Sequence, residues 1–282
     1  MKTNLRHFLE LNLGLLFVAT SGPLGRFITI DSSLATFWRA FIGMIGMLLL
    51  AKLSGTKLRI EWRKHGILLI GTSALMVGHW ITYFYSLDYS SVAVALTALY
   101  TFPAMTALLD PLLKRRKIPM LDLALALITF GAIYYISPPI HDGGKLGLAV
   151  GLGLTSALCF GLRNIWIAEI SSIYPSITVM VYQLIFSSMM LLPFFFTAPS
   201  TIESSQWVAL AALGLITTAS GHTLFVRGIA RFQPTTASLF MCITPIYGIA
   251  LALVFLEEVP SPRVIIGGIV VLSVVIFKAL RT

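Results

Sequence analysis

The chain has 282 residues, of which 57% are hydrophobic and only 11% are Asp, Glu, Lys or Arg, and its mean hydropathy is +0.90. A water-facing domain carries roughly 25% charged residues, so this composition excludes a soluble fold and requires lipid as the outer solvent. The net charge of +9 would suggest a nucleic-acid partner on a soluble protein, but here the basic residues cluster in short loops and read as topology signals, with no nucleic acid implied.

Backbone polar groups must be satisfied internally in hydrocarbon, which leaves helices or a closed barrel. The apolar runs are about 20 residues long, the length of a helix crossing the bilayer rather than of a barrel strand. The pattern predicts an all-α integral membrane protein with ten transmembrane helices, at 8–27, 33–53, 65–87, 90–113, 119–136, 146–168, 176–196, 207–229, 235–256 and 262–280. The first segment contains Glu10, Asn12 and Pro23 and no clear small-residue cleavage site, so it reads as a span and not as a removed signal. Turn residues separate the spans, as at Ser54-Gly55-Thr56, Ser137-Pro138-Pro139 and Pro260-Ser261-Pro262.

Lys and Arg alternate from loop to loop. With the N-terminus inside, the inner side holds Lys2, Arg6, Lys52, Lys57, Arg59, Arg63 and Lys64. It also holds Lys114, Arg115, Arg116, Lys117, Arg227, Arg231, Lys278 and Arg281, whereas the outer side holds only Arg26, Lys145 and Arg263. Both termini are therefore expected in the cytoplasm, with the chain in the cell (inner) membrane.

The fourth and ninth spans each carry a proline near the middle, Pro103 and Pro245. The span before each carries a Gly-His pair, Gly78-His79 and Gly221-His222, at nearly the same distance from its proline. Two signals in register predict a duplication, residues 1–140 and 141–282. Five spans per copy is odd, so the second copy enters from the opposite side, giving an inverted repeat with a midplane site and alternating access.

At this point the chain resembles the EamA-type drug/metabolite transporters, over essentially its whole length. The resemblance rests on Phe37-Trp38-Arg39-Ala40-Phe41, on the stretch Phe84 to Leu96 ending at Pro103, and on Arg227 to Leu239 ending at Pro245. Leu256-Glu257-Glu258 leading to Gly267-Gly268 completes it. It implies two five-helix halves around a central cavity. It also implies transport of small organic solutes, often amino acids or related metabolites and often outward. In the first half Arg116 stands where the second has Glu258, and Glu258 is expected near the outer surface with no transport role.

Ionisable groups at membrane depth are functional candidates. His79 and His222 lie mid-span and either line the cavity or bond to a neighbouring helix. Arg163, followed by Asn164, either holds a substrate carboxylate through its fork or snorkels to the inner face. Arg39, with Pro103 and Pro245, is read as structural or gating. Trp80, Tyr83, Tyr100 and Tyr247 stand near these groups in sequence, and His79 and Tyr83 share a helical face. Gln183 lies roughly where Arg39 lies in the other copy and has no assigned role. Asp110 is expected to pair locally with the Lys114–Lys117 run.

The substrate-binding set is thus His79, Trp80, Tyr83, Tyr100, Arg163, Asn164, His222 and Tyr247. No catalytic motif of the Gly-x-Ser-x-Gly or His-Glu-x-x-His type occurs, nor a Walker A sequence. Cys159 and Cys242 show no zinc spacing. The expectation is a non-enzyme without cofactor or metal, a monomer or weak dimer in the lipid bilayer acting on a small-molecule substrate. An intramembrane enzyme and a non-transporting receptor are the alternatives. The histidines are the central groups that titrate near neutral pH, so the carrier is either a facilitator or proton-coupled through His79 or His222.

Overall fold

The computed structural model describes residues 2–136, 144–196, 202–229 and 243–281. They form helices α1 (Lys2–Ala19), α2 (Ser21–Phe27), α3 (Ser32–Leu53), α4 (Trp62–Asp88), α5 (Val92–Leu99), α6 (Phe102–Leu113) and α7 (Met120–Ile136). The second half has α8 (Lys145–Ser171), α9 (Ser176–Phe195), α10 (Ser204–Ala212), a π-helix π1 (Leu213–His222), α11 (Thr223–Ile229), α12 (Ile243–Leu256) and α13 (Pro262–Arg281). Among the described residues there is no strand. Each expected apolar segment is met by helix; residues 235–242 and the turn at Ser137-Pro138-Pro139 lie outside the described residues. Among the described residues six helical stretches, two of them composite (Val92–Leu113 and Ser204–Phe225), are long and apolar enough to cross a membrane by length and composition, and three shorter apolar helices accompany them.

The helix ends follow from local chemistry. Asp31 caps α3 by accepting the Ser33 and Leu34 amides at 2.9 and 3.2 Å. At its other end Gly55 takes a left-handed φ of 64°, while the Thr56 amide reaches back to the Ala51 carbonyl at 2.9 Å and the Gly55 amide to Lys52 at 3.3 Å. Those are the two bonds of a Schellman stop, and glycine adopts its geometry without a Cβ penalty.

The expected fourth span is two helices. It breaks at Tyr100-Thr101, just ahead of Pro103. A proline lacks the amide proton and its ring clashes with the carbonyl four residues earlier. For Pro103 that carbonyl belongs to Leu99, the last residue of α5. The eighth span changes pitch instead. Over π1 the Thr218 hydroxyl donates to the Leu213 carbonyl five residues back, at 2.8 Å. Such π turns recur at functional sites.

Packing is symmetric under exchange of the two copies. Helix α4 lies along α8, and α1 correspondingly lies along π1 and α11. Helix α3 pairs with its counterpart α9, and α7 with its counterpart α13. Helix α3 also packs on π1, as α9 packs on α4. The Gly-His glycines sit at the equivalent crossings. A Cβ at Gly78 would stand 3.2 Å from Cys159 Sγ, and one at Gly221 would stand 3.1 Å from the Val18 amide nitrogen. Close helix approach in a membrane uses small residues in this way.

Candidate functional site

The polar side chains of the spans converge where α3, α4, α8, α9 and π1 meet. Arg39 on α3 is 1% exposed. Its Nε donates to Thr218 Oγ1 at 2.9 Å and its Nη1 to Ser21 Oγ at 3.1 Å. Its guanidinium carbon stands 4.4 Å from the centre of the Trp80 ring and 5.6 Å from that of Phe84. One arginine thus bridges both halves, through Ser21 and Trp80 of the first and Thr218 of the second. Thr217, beside Thr218, shares a 2.6 Å contact with Thr20.

Arg163 on α8 is fully buried. It does not reach an aqueous face. Its Nη2 donates to Gln183 Oε1 at 2.6 Å and its Nη1 to Asn164 Oδ1 at 3.0 Å. Nη2 also lies 3.9 Å from the Met180 sulfur, and Met180 shares a buried cluster with Trp80 and Phe37. Among the described residues neither arginine has a carboxylate within ion-pair distance.

His79 is joined to a neighbouring helix. Its Nδ1 lies 2.7 Å from Ser156 Oγ, and the same hydroxyl lies 2.9 Å from the His79 carbonyl. The single hydroxyl proton satisfies both contacts when it points to the carbonyl and the ring nitrogen donates. The imidazole also stacks at 6.2 Å on Tyr83, as their four-residue spacing requires, and lies 4.6 Å from Phe160. His222 ends π1 with its ring 6.2 Å from that of Trp80. Both imidazoles are buried.

Several buried polar atoms at this centre have no hydrogen-bond partner among the described residues: Trp80 Nε1, Tyr83 Oη, Arg163 Nε, Gln183 Nε2 and His222 Nδ1. The large majority of buried polar groups in proteins are paired, so each unpaired one calls for a reason.

The remaining expected site residues lie farther out. Tyr100 is buried at the α5–α6 break, with its ring 5.7 Å from Phe102. Pro103 starts α6, and Pro245 is buried in the first turn of α12. Tyr247 is half-buried on α12 and no hydrogen bond among the described residues ties it to the centre. Asp110 pairs with Lys114 at 2.6 Å, the local ion pair that their spacing suggests.

Sequence reasoning missed Gln183 as the partner of Arg163, together with the hydroxyls of Ser21, Ser156 and Thr218. A signal existed for Gln183, an amide in an otherwise apolar span at the position matching Arg39. It also left Glu258 without a structural role. Glu258 bonds to Arg26 at 3.1 Å and accepts the Val92 amide at 2.9 Å, capping α5 from the other half. On the same side Gln206 accepts the Thr29 amide at 2.9 Å. The opposite end is closed by Tyr174, whose hydroxyl accepts the Glu61 amide at 3.1 Å and touches His65 Nδ1 at 2.9 Å. There Tyr182 also donates to the Leu58 carbonyl at 2.9 Å. The halves are therefore stitched together at both ends of a buried polar centre.

Comparison with known proteins agrees with this architecture. A solved crystal structure of a protein superimposes with a TM-score of 0.69 at 18% identity, covering 98% of each chain, which is a likeness of fold. An uncharacterized transporter of Bacillus subtilis (strain 168), YxxF, is 23% identical over 201 residues. The match takes in 69% of this chain and spans 64% of the length of that relative. A sequence model of the EamA-like transporter family matches twice in succession, over residues 10–137 and 147–279. With two family repeats filling most of its length and long apolar helices throughout, this multi-pass membrane protein belongs to the EamA-like transporter family.

Proposed function

We propose that the protein is a secondary transporter. It moves a small amphipathic organic metabolite across the cytoplasmic membrane by alternating access, with export as its working direction. The observation that carries this reading is the buried polar centre, built from both halves and closed at both ends by bonds between them. Opening one set of end contacts while the other holds would expose the centre to one side at a time. The solute would meet His79, Trp80, Tyr83, Arg163, Asn164 and His222, with Arg39, Pro103 and Pro245 governing the helix movements. Tyr100 and Tyr247 would join the wall only when α5, α6 and α12 shift. Flux of a broad metabolite pool through proteoliposomes tests the reading: loss of no solute of any kind, together with turnover of one, would make the protein an intramembrane enzyme.

The same proposal includes ten spans in two inverted five-helix repeats, residues 1–140 and 141–282, with both termini cytoplasmic. The Lys/Arg alternation and the exchange symmetry of the helix contacts support it. Ser54 and Ser261 are both exposed, on loops that the proposal puts on opposite sides. In intact cells a membrane-impermeant maleimide should label Ser261→Cys and spare Ser54→Cys. Labelling of both from outside would overturn the topology.

We further propose that transport is facilitative. The polar centre contains no carboxylate among the described residues, and the His79 ring nitrogen is engaged with Ser156. Carriers driven by protons or sodium usually hold an acidic group at that depth. An imposed pH gradient should therefore produce no accumulation of solute above equilibrium in proteoliposomes. Accumulation that disappears in the His79→Gln, His222→Gln double variant would instead make the histidines the coupling site.

A further inference from the structure

Resting on the transport reading above, we infer that the solute is an organic carboxylate without a free ammonium group, an oxo- or hydroxy-acid rather than a zwitterionic amino acid. Three of the unpaired atoms at this centre can only donate. Arg163 spends Nη1 and Nη2 on Asn164 and Gln183, and its Nε has no partner among the described residues. The bond from Nη2 fixes which end of the Gln183 amide is oxygen, so the unpaired end is Nε2, which carries two N–H groups. Trp80 adds Nε1, a donor that cannot accept. Three buried nitrogens that can only donate call for an acceptor with several lone pairs, and a carboxylate has them on two oxygens.

The charges agree with the donors. Two guanidinium groups, Arg39 and Arg163, are buried at this depth, and among the described residues neither is paired with a carboxylate. Buried charge is expensive unless compensated, and an anionic solute compensates it. A positively charged group on the solute would meet the reverse situation. An ammonium finds its strongest partners in carboxylates and aromatic faces. The indole face of Trp80 is covered by Arg39 at 4.4 Å, so the ring is already serving a cation that belongs to the protein. An α-ammonium brought here would face two guanidinium groups across a low-dielectric interior. The rest of the solute has apolar neighbours in Phe160, which packs 4.6 Å from His79, and in Met180.

The test uses full-length protein in liposomes, loaded with a cell metabolite extract sorted by ion exchange into anionic, zwitterionic and cationic fractions. Wild-type protein should deplete members of the anionic fraction. Gln183→Glu replaces the donor end of the amide with a second acceptor of nearly identical shape. The new carboxylate can pair with Arg163 at the existing 2.6 Å contact, so the variant should stay monodisperse on size exclusion. Its anion flux should fall roughly 10–150-fold, the loss expected when charge-assisted bonds become repulsive. Wild-type anion flux in Gln183→Glu would overturn the assignment of these donors. Depletion confined to the zwitterionic or cationic fraction would overturn the solute class while leaving the transport reading intact. Depletion of no fraction would remove the transport reading, and this inference with it.

Discussion

Arg163→Ala is expected to lower the apparent affinity for the solute roughly 10–150-fold, and Arg163→Lys to recover only part of it. The guanidinium is fully buried and already forked between Asn164 and Gln183, which fixes the direction of its Nε–H. A charge-assisted hydrogen bond of this kind contributes about 1.5–3 kcal/mol. Lysine restores the charge on a flexible stem, but it cannot hold Gln183 and Asn164 while addressing a solute in the same plane. Alanine also strips Gln183 Oε1 of its donor, so the variant should unfold at lower temperature than Arg163→Lys. The concentration dependence of flux separates the two effects, because a folding defect lowers the number of active molecules without moving the half-saturation point. Full and equal activity in both variants would show that Arg163 does not touch the solute.

Arg39→Met should abolish most transport while leaving thermal stability unchanged or raised. A buried guanidinium without a carboxylate partner is a stability liability. Replacing even paired buried charges with apolar side chains of similar volume is neutral or stabilising by about 1–4 kcal/mol. Against that gain stands the Ser21 hydroxyl, which loses the donor 3.1 Å away, at about 1–3 kcal/mol. Thr218 keeps its bond to the Leu213 carbonyl and loses little. Methionine can fill the space over Trp80 and Phe84 with a polarisable thioether. If Arg39 were retained as a structural brace, its removal would lower the melting temperature at least as much as it lowers flux. Flux lost at undiminished melting temperature would mean the charge is kept for function, as stability–activity trade-offs lead one to expect. Size-exclusion thermal challenge in detergent and flux on the same preparation decide between the two.

Much of the architecture was legible because its causes are local. A run of about 20 apolar residues commits a segment to the bilayer whatever its neighbours do. Breakers such as Gly55 and Pro103 act on their own turn of helix, and the structure stops α3 and α5 where those residues demand. The Gly-His and proline signals recur in register, and the family match repeats with them. The candidate site was legible only in its ingredients. Arg39, His79, Trp80, Tyr83, Arg163 and His222 were named as ionisable or aromatic groups at depth, and the structure buries all six. Gln183 went unread because a lone amide in an apolar span has no periodicity to report its partner. The pitch change of π1 went unread because no single residue forces it.

By itself the sequence determined that this chain lives in a membrane, that it is helical, that it is duplicated, and that its deep polar groups come from both copies. These follow from segment length, composition and repetition, which need no knowledge of the third dimension. The tertiary structure alone decided that Arg163 turns to Gln183, that His79 closes on Ser156, that Arg39 spreads over Trp80 and reaches Thr218, and that Glu258 caps α5 across the halves. The physical reason lies in the helices themselves. A soluble helix declares its inner face by polarity, whereas a helix apolar on nearly every side can turn any face to lipid or to protein. Which face looks inward is then set by close packing, here by glycine crossings such as Gly78 on Cys159 and Gly221 on Val18, and packing exists only when both helices are in place.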